Sequence, residues 1–506
     1  MWIAIAVISA LVTVAAAMFF ATYTVLFLIA VCGILLLRRR YELLVPLTLF
    51  LAATTLPNGI PAGFAAGGYA FKLYEPVLVA AFIWAVTRPV AKPTTRVVAA
   101  LVAWLGVGLI GALLVSAQLG KVIADIRYPV EMVMAVAVAA AAVTTPDLSR
   151  MCARTMKWSL WISAAFIMLA SAGVLTLVGR SEIATLFETT SDGGATRYLT
   201  AATFFALTTL CVCLALAVSG TFSLAQTWMW TVPALLILFL AFSRNHILGI
   251  AVTLLLAILA ARSAGAVGRT TIRVAVGALV IFGVLNVSPM LSGLPGGEWF
   301  ATQIDGYSSR VVDGLRSDAL ARDDSARYRE REIGNLERAF YEDPVVGHGF
   351  GFAYQRPQGS QGTFWYDRAP YYSHNFYWWM MVKTGVVGLL LFLLATLVPV
   401  VKGTVWSKNP VAVALAASLG GLLAICWVAP LPLDSPTSAL VGSALGALVG
   451  LLISRQRDRV TTVEFVDQYQ GHVTSAGRER RWSDRRHVCD EELKHASLHG
   501  NATGGK

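Results

Sequence analysis

The chain has 506 residues, 57% of them hydrophobic and 14% charged, with a mean hydropathy of +0.66. Soluble domains carry roughly 25% charged residues, and here apolar runs long enough to cross a hydrocarbon core of about 30 Å recur from Met1 to about Ser454. An ordinary soluble protein is excluded. So is a nucleic-acid reading of the +11 net charge, because most Lys and Arg lie in short loops and the tail, as the positive-inside rule places them.

Apolar runs separated by charged or turn-forming residues predict about fourteen helices. The first two fall at about 2–18 and 21–37 and end at Arg38-Arg39-Arg40. With that triplet cytoplasmic, the same side receives Arg88, Lys92 and Arg96, then Arg150, Arg154 and Lys157. Arg262, Arg269 and Arg273 follow there, then Lys402, Lys408 and the basic tail from Arg455. The outer side receives Pro57–Phe71, Gln118–Arg127, Gly179–Arg197, the Ser243-Arg244-Asn245 turn, Pro430–Pro436 and one long segment. Residues 41–71 have room for a re-entrant piece. Both termini come out cytoplasmic, and the N-terminus, lacking a basic n-region, reads as retained.

The organisation is therefore 1–289 with about eleven spans, an extracytoplasmic loop over 290–373, and 374–454 with about three more. A polar cytoplasmic tail over 455–506, expected to be disordered, completes it. The six cysteines lie in apolar spans, a short loop or the tail, so no disulfide framework is implied. His487, Cys489, His495 and His499 in the tail lack the tight spacing of metal ligands.

The loop 290–373 carries nine basic residues, all arginine, among twelve acids. Arginine presents a planar fork suited to phosphate and carboxylate, although ordinary surface pairing accounts for most of these. The aromatics of the loop, among them Tyr328, Tyr354, Trp365 and Tyr372, suit sugar stacking or an interfacial belt, and the belt is the simpler account of any one of them.

Ser325 to Asp343 predicts a helix stopped before Pro344, with Ile333, Leu336 and Phe340 as its apolar stripe. Arg327, Arg331 and Arg338 share a solvated face, whereas Arg329 projects with the stripe. A buried guanidinium there needs either an anionic ligand or an internal partner such as Glu332. Arg244 stands between two apolar spans on the outer side, placed either to snorkel or to hold an anion. In Ser373-His374-Asn375, Ser373 suits an N-cap with His374 an incidental neighbour, or His374 is a proton carrier at the membrane face. Gly347-His348-Gly349-Phe350-Gly351 follows a helix and reads as a tight turn returning the chain to the membrane, not as a nucleotide loop.

Arg329, Ile333, Pro344-Val345-Val346-Gly347-His348-Gly349, Ser373-His374-Asn375 and Gly385-Val386-Val387-Gly388, in that order, resemble the O-antigen ligase and polymerase superfamily. Phe242-Ser243-Arg244 resembles that family's Ser-Arg after an apolar span. Ile333 stands where an aromatic is usual, and the pair of extra N-terminal spans exceeds the family norm of about twelve.

The resemblance implies an all-α integral membrane protein of about 12–14 transmembrane helices, GT-C-like, with one long partly helical extracytoplasmic loop. It implies a metal-independent glycosyltransferase without cofactor, moving a glycan from a polyprenyl diphosphate to a glycan or glycolipid acceptor. Membrane lipid is then a partner and nucleic acid is not. His374, Arg329 and Arg244 would be catalytic: the arginines would bind the diphosphate, and His374 would activate the acceptor hydroxyl. Arg127, Arg327, Asn375, Lys72 and Tyr372 are the candidate substrate-binding residues. A polymerase, a glycan-to-protein ligase and, in another class, a lipid flippase remain open. The last predicts ionisable residues in mid-span, and Glu131 and Lys383, the nearest, are expected close to span ends.

Overall fold

A computed structural model describes residues 40–66, 69–88, 91–177, 180–183, 195–222, 226–261, 296–312 and 324–454, with a few isolated positions between them. The spans expected at about 2–18 and 21–37 and the tail over 455–506 lie outside these residues. In chain order the helices begin with α1 (Leu44–Ala53), α2 (Tyr74–Val86), α3 (Lys92–Leu114), α4 (Leu119–Val143) and α5 (Pro146–Ser171). Then come α6 (Ala202–Val218), α7 (Trp228–Leu240), α8 (Asn245–Ala261), α9 (Gly297–Tyr307) and α10 (Asp324–Glu342). The short α11 (Phe364–Asp367) precedes α12 (Phe376–Val401), α13 (Pro410–Ile425) and α14 (Thr437–Ser454).

Among the described residues, α3, α4 and the segment Phe376–Trp406 are long and apolar enough to cross a membrane, and seven shorter apolar helices pack around them. The outward face of α3 is itself apolar: Leu113 and Leu114 are 80% and 77% exposed. Hydrocarbon is the solvent that suits such a face, and helices are the form in which backbone can enter it. The chain is a largely helical membrane protein.

Two antiparallel hairpins amend the all-helical expectation. Strands β1 (Gly63–Ala66) and β2 (Tyr69–Lys72) pair with Gly63 opposite Lys72, and β3 (Arg180–Ile183) pairs with β4 (Thr196–Leu199). The Asn58 N–H donates to the Thr176 carbonyl at 2.9 Å, joining the segments that lead into them. The piece expected to re-enter at 41–71 is thus the ten-residue α1 followed by β1 and β2.

The segment Gln118–Arg127, expected as an outer loop, is instead the start of α4. Two of its charges are paired inside the protein, Asp125 with Lys383 and Arg127 with Glu75. Lys383, within the first turns of α12 and fully buried, meets Asp125 of α4 at 2.5 Å and donates to the Phe352 carbonyl at 2.6 Å. Asp125 also accepts from the Gly351 N–H at 2.7 Å. Removing one member of such a pair strands the other charge, which costs about 3–5 kcal/mol. Lys383→Met should therefore lower the melting temperature of the purified protein sharply, and Asp125→Asn in the same chain should recover part of the loss. An unchanged melting temperature for the single variant would show that the pair does not hold the fold.

This pair anchors the turn after α10. Helix α12 is broken at Gly385 (φ 61°, ψ −169°), which leaves carbonyls and N–H groups without helical partners. The turn supplies them: His348 and Gly349 N–H groups donate to the Val382 and Lys383 carbonyls, both at 2.9 Å. In return the N–H groups of Val386 and Val387 donate to the Pro344 and Val345 carbonyls at 2.9 and 3.2 Å. The glycine pattern that suggested a tight turn is a wedge seated in a broken helix. Broken backbone inside a membrane protein survives where protein satisfies it in this way.

Candidate active site

Helix α10 begins at Asp324 and ends at Glu342, one residue from the predicted bounds. Its buried face carries Glu332, Leu336 and Ala339, with Ile333 and Phe340 half-covered, so burial is turned toward the acid relative to the predicted stripe. Glu332 is 1% exposed. A carboxylate in that position is costly unless donors surround it, and the segment entering α12 provides them. The His374 N–H donates to Oε2 at 2.9 Å, the Ser373 hydroxyl to Oε2 at 3.2 Å, and the His374 Nδ1 lies 3.3 Å from both oxygens. The Tyr354 hydroxyl is 3.2 Å from Oε1 and 2.5 Å from the Tyr372 carbonyl. Burial and the neighbouring Glu332 charge push that phenol above its ordinary range, so it stays a neutral donor.

The N-cap of α12 is Asn375, not Ser373. Its Oδ1 accepts from the N–H groups of Tyr377 and Trp378, both at 3.1 Å, while Ser373 Oγ accepts the Asn375 N–H at 3.0 Å. Asn375 is buried in this role, which is an architectural one. His374 consequently stands one residue ahead of the cap. Its ring is held edge-on between Tyr328 (centroids 5.9 Å apart) and Tyr372 (5.6 Å). The side chain is 29% exposed, so one edge of the imidazole remains open. With Nδ1 on the carboxylate, Nε2 is the nitrogen at that edge.

Arg329 is half-buried on α10, and residues on either side of it, Tyr328 and Glu332, both touch His374. The helix carrying the arginine is thus fastened over the turn carrying the histidine, 45 residues on. Arg327 is exposed on the same helix. Arg244 sits at the junction of α7 and α8, after Phe242, a buried residue with φ of 40°.

Residues 229–393 match the family model described as O-antigen ligase. That stretch of the chain is similar to the O-antigen ligase family. No curated protein matches it significantly. The matched ligase segment runs from α7 to α12 and contains Arg244, Arg329, His374 and the Gly385 break.

The remaining candidates divide. Tyr372 belongs with the His374 cluster of the ligase segment; its hydroxyl donates to Asp434 Oδ2 at 2.8 Å, and burial with that acid pushes the phenol upward. Arg368 binds the same Asp434 at 2.9 Å and lies over the Tyr372 ring. Asp434 in turn lines a cavity of about 390 Å³, together with Thr54, Thr55, Lys72, Tyr74 and Thr200. The hydroxyls of Thr54, Thr55 and Thr200 have no hydrogen-bond partner among the described residues. Lys72 is therefore placed with this cavity. Arg127 is committed elsewhere: its guanidinium donates through Nε to Glu75 at 3.1 Å and lies over the Phe71 ring.

Glu332 is the residue that sequence reasoning placed differently, as an internal partner for Arg329; the structure turns it to His374. The charge alternation Arg329-Glu330-Arg331-Glu332 looks like a solvated face. The one available signal was its position one residue from Ile333 on the apolar stripe. Tyr328, Tyr354 and Tyr372 likewise touch the cluster.

Proposed function

We propose that this protein is an O-antigen ligase-like enzyme that transfers a glycan from a polyprenyl diphosphate to an envelope acceptor at the outer face of the cytoplasmic membrane, on a GT-C-like scaffold. The observation carrying this reading is the fastening of the Arg329 helix onto the His374 turn, through Glu332 and Tyr328. On this reading the two elements would contribute a cation for phosphate and an imidazole to one site. In the step itself, the bond between the anomeric carbon and the diphosphate oxygen breaks, and its electron pair leaves with the diphosphate. The acceptor oxygen forms the new glycosidic bond, and its proton passes to His374 Nε2. Arg329 and Arg244 would stabilise the charge growing on the leaving diphosphate. The cavity reached through Tyr372 and Asp434 offers free hydroxyls to a sugar of the glycan.

The test complements cells lacking the protein with wild type, Arg329→Ala or Arg244→Ala at matched expression. A charge-assisted hydrogen bond is worth about 1.5–3 kcal/mol, so each change should cut transfer by about 10- to 100-fold. Lipid-linked glycan should accumulate as surface glycan falls. Long lipid-linked chains would mark a ligase, and single repeat units a polymerase. Wild-type transfer by both variants would overturn the site and favour the flippase reading.

A further inference from the structure

Resting on that reading, we propose that Glu332 is a positioning residue for the transfer, holding His374 in the one tautomer whose Nε2 can accept the acceptor's proton. An ionised carboxylate can only accept hydrogen bonds. Two fixed donors converge on Glu332, the His374 backbone N–H at 2.9 Å and the Ser373 hydroxyl at 3.2 Å, and the imidazole Nδ1 lies 3.3 Å from the same carboxylate. The nitrogen facing the acid must therefore carry the ring proton, and the lone pair falls on Nε2. The two tyrosine rings set at 83° to the imidazole fix its plane, so the ring cannot turn to exchange its nitrogens without displacing them. When Nε2 takes the proton, the imidazolium forms against a buried counter-charge already in place, with nothing left to reorganise.

The arrangement has the form of a base oriented by a third group. What is particular to this chain is its source: the acid comes from the arginine-bearing helix, three residues beyond Arg329. One helix thereby supplies both the candidate diphosphate ligand and the group that orders the base. The distance between the two halves of the reaction is then fixed by a single helical turn.

The test combines kinetics with a spectroscopic reading. The purified protein in vesicles would be assayed with lipid-linked glycan extracted from cells lacking it, and with membranes of those cells as acceptor. Outer-shell partners of this kind are worth about 10- to 100-fold, so Glu332→Gln should lower kcat by that factor and leave KM for the lipid-linked glycan unchanged. Glu332→Asp should restore part of it. Glu337→Gln, which removes a carboxylate from the exposed face of the same helix, should retain kcat. In nitrogen-15 spectra, assigned by the signals lost in His374→Gln, wild-type His374 should be the Nδ1–H tautomer and Glu332→Ala should shift it toward Nε2–H.

Wild-type kcat in Glu332→Gln, a loss confined to KM, an equal kcat loss in Glu337→Gln, or an Nε2–H wild-type tautomer would each overturn the proposal. If His374→Ala is inactive while Glu332→Gln is unaffected, this inference alone fails. If His374→Ala turns over normally, the functional reading fails with it.

Discussion

His374→Ala should abolish glycan transfer while leaving the protein folded. Positioned acid–base groups contribute about 10²- to 10⁴-fold, so the variant should fall by a factor in that range. Cells carrying it should accumulate lipid-linked glycan and lose the surface form. The fold should survive because the imidazole is partly exposed and, among the described residues, its contacts are with Glu332 and two tyrosine rings. Neither Asn375, which caps α12, nor Ser373 uses it. His374→Gln sharpens the result, since its side-chain amide can still donate to Glu332 but cannot take a proton. It should be as inactive as the alanine variant. Activity in the glutamine variant with loss in the alanine variant would make His374 a spacer or a hydrogen-bond donor, and the proton-acceptor role would fall.

The histidine was legible in the sequence, and its partner was not. Ser373-His374-Asn375 stands at the start of an apolar run, after a long polar loop, so its place at the head of an apolar helix follows from hydropathy alone. Helix α10 was legible for a similar reason: Pro344 sets its end, and the period of Leu336 and Phe340 sets its covered side. Which carboxylate the His374 turn would meet was a tertiary matter. Glu332 lies 42 residues away and sits in a run of alternating charges, a pattern that a solvated helix face also produces. The same limit hid Asp125 and Lys383, 258 residues apart. Read separately, each looks like a residue near a span end, and only packing of α4 against α12 makes them a buried pair. The hairpin at 63–72 was missed on different grounds. Its strands, Gly-Phe-Ala-Ala and Tyr-Ala-Phe-Lys, lack the alternation of apolar and polar residues that marks a half-buried strand.

The glycines of the two motif lines explain one another, and they carry the largest expected effect on folding. Gly349 has φ of 84°, and a Cβ there would lie 2.0 Å from the Ala112 nitrogen in α3. Gly385 has φ of 61°, and its Cβ would lie 2.1 Å from the Val345 carbonyl oxygen. In both cases the obstacle is backbone, which cannot swing away as a side chain would. Gly385 therefore lets the broken helix meet the turn, and Gly349 lets the turn lie against α3. Gly349→Ala should unseat the turn, strip the Val382 and Lys383 carbonyls of their donors inside the membrane, and cost more than about 4 kcal/mol. Detergent extracts should then yield little monodisperse protein.

Gly334 provides the opposite sign. It lies exposed within α10 with no atom in reach of an added Cβ, so Gly334→Ala should stabilise by about 0.5–1 kcal/mol through helix propensity. Both variants can be compared by size-exclusion profile and melting temperature. Equal tolerance of alanine at 334 and 349 would mean that the turn is not wedged against α3, and the account of how Lys383 and Asp125 pin it would fail. A loss at 349 with a gain at 334 would instead tie the Pro-x-x-Gly-x-Gly and Gly-x-x-Gly patterns to one packed joint. That joint sits beside the His374 turn, since Val382 and Lys383 lie within the first turns of the helix that His374 precedes. The glycines are then what keeps the start of α12, and so the imidazole, fixed under α10.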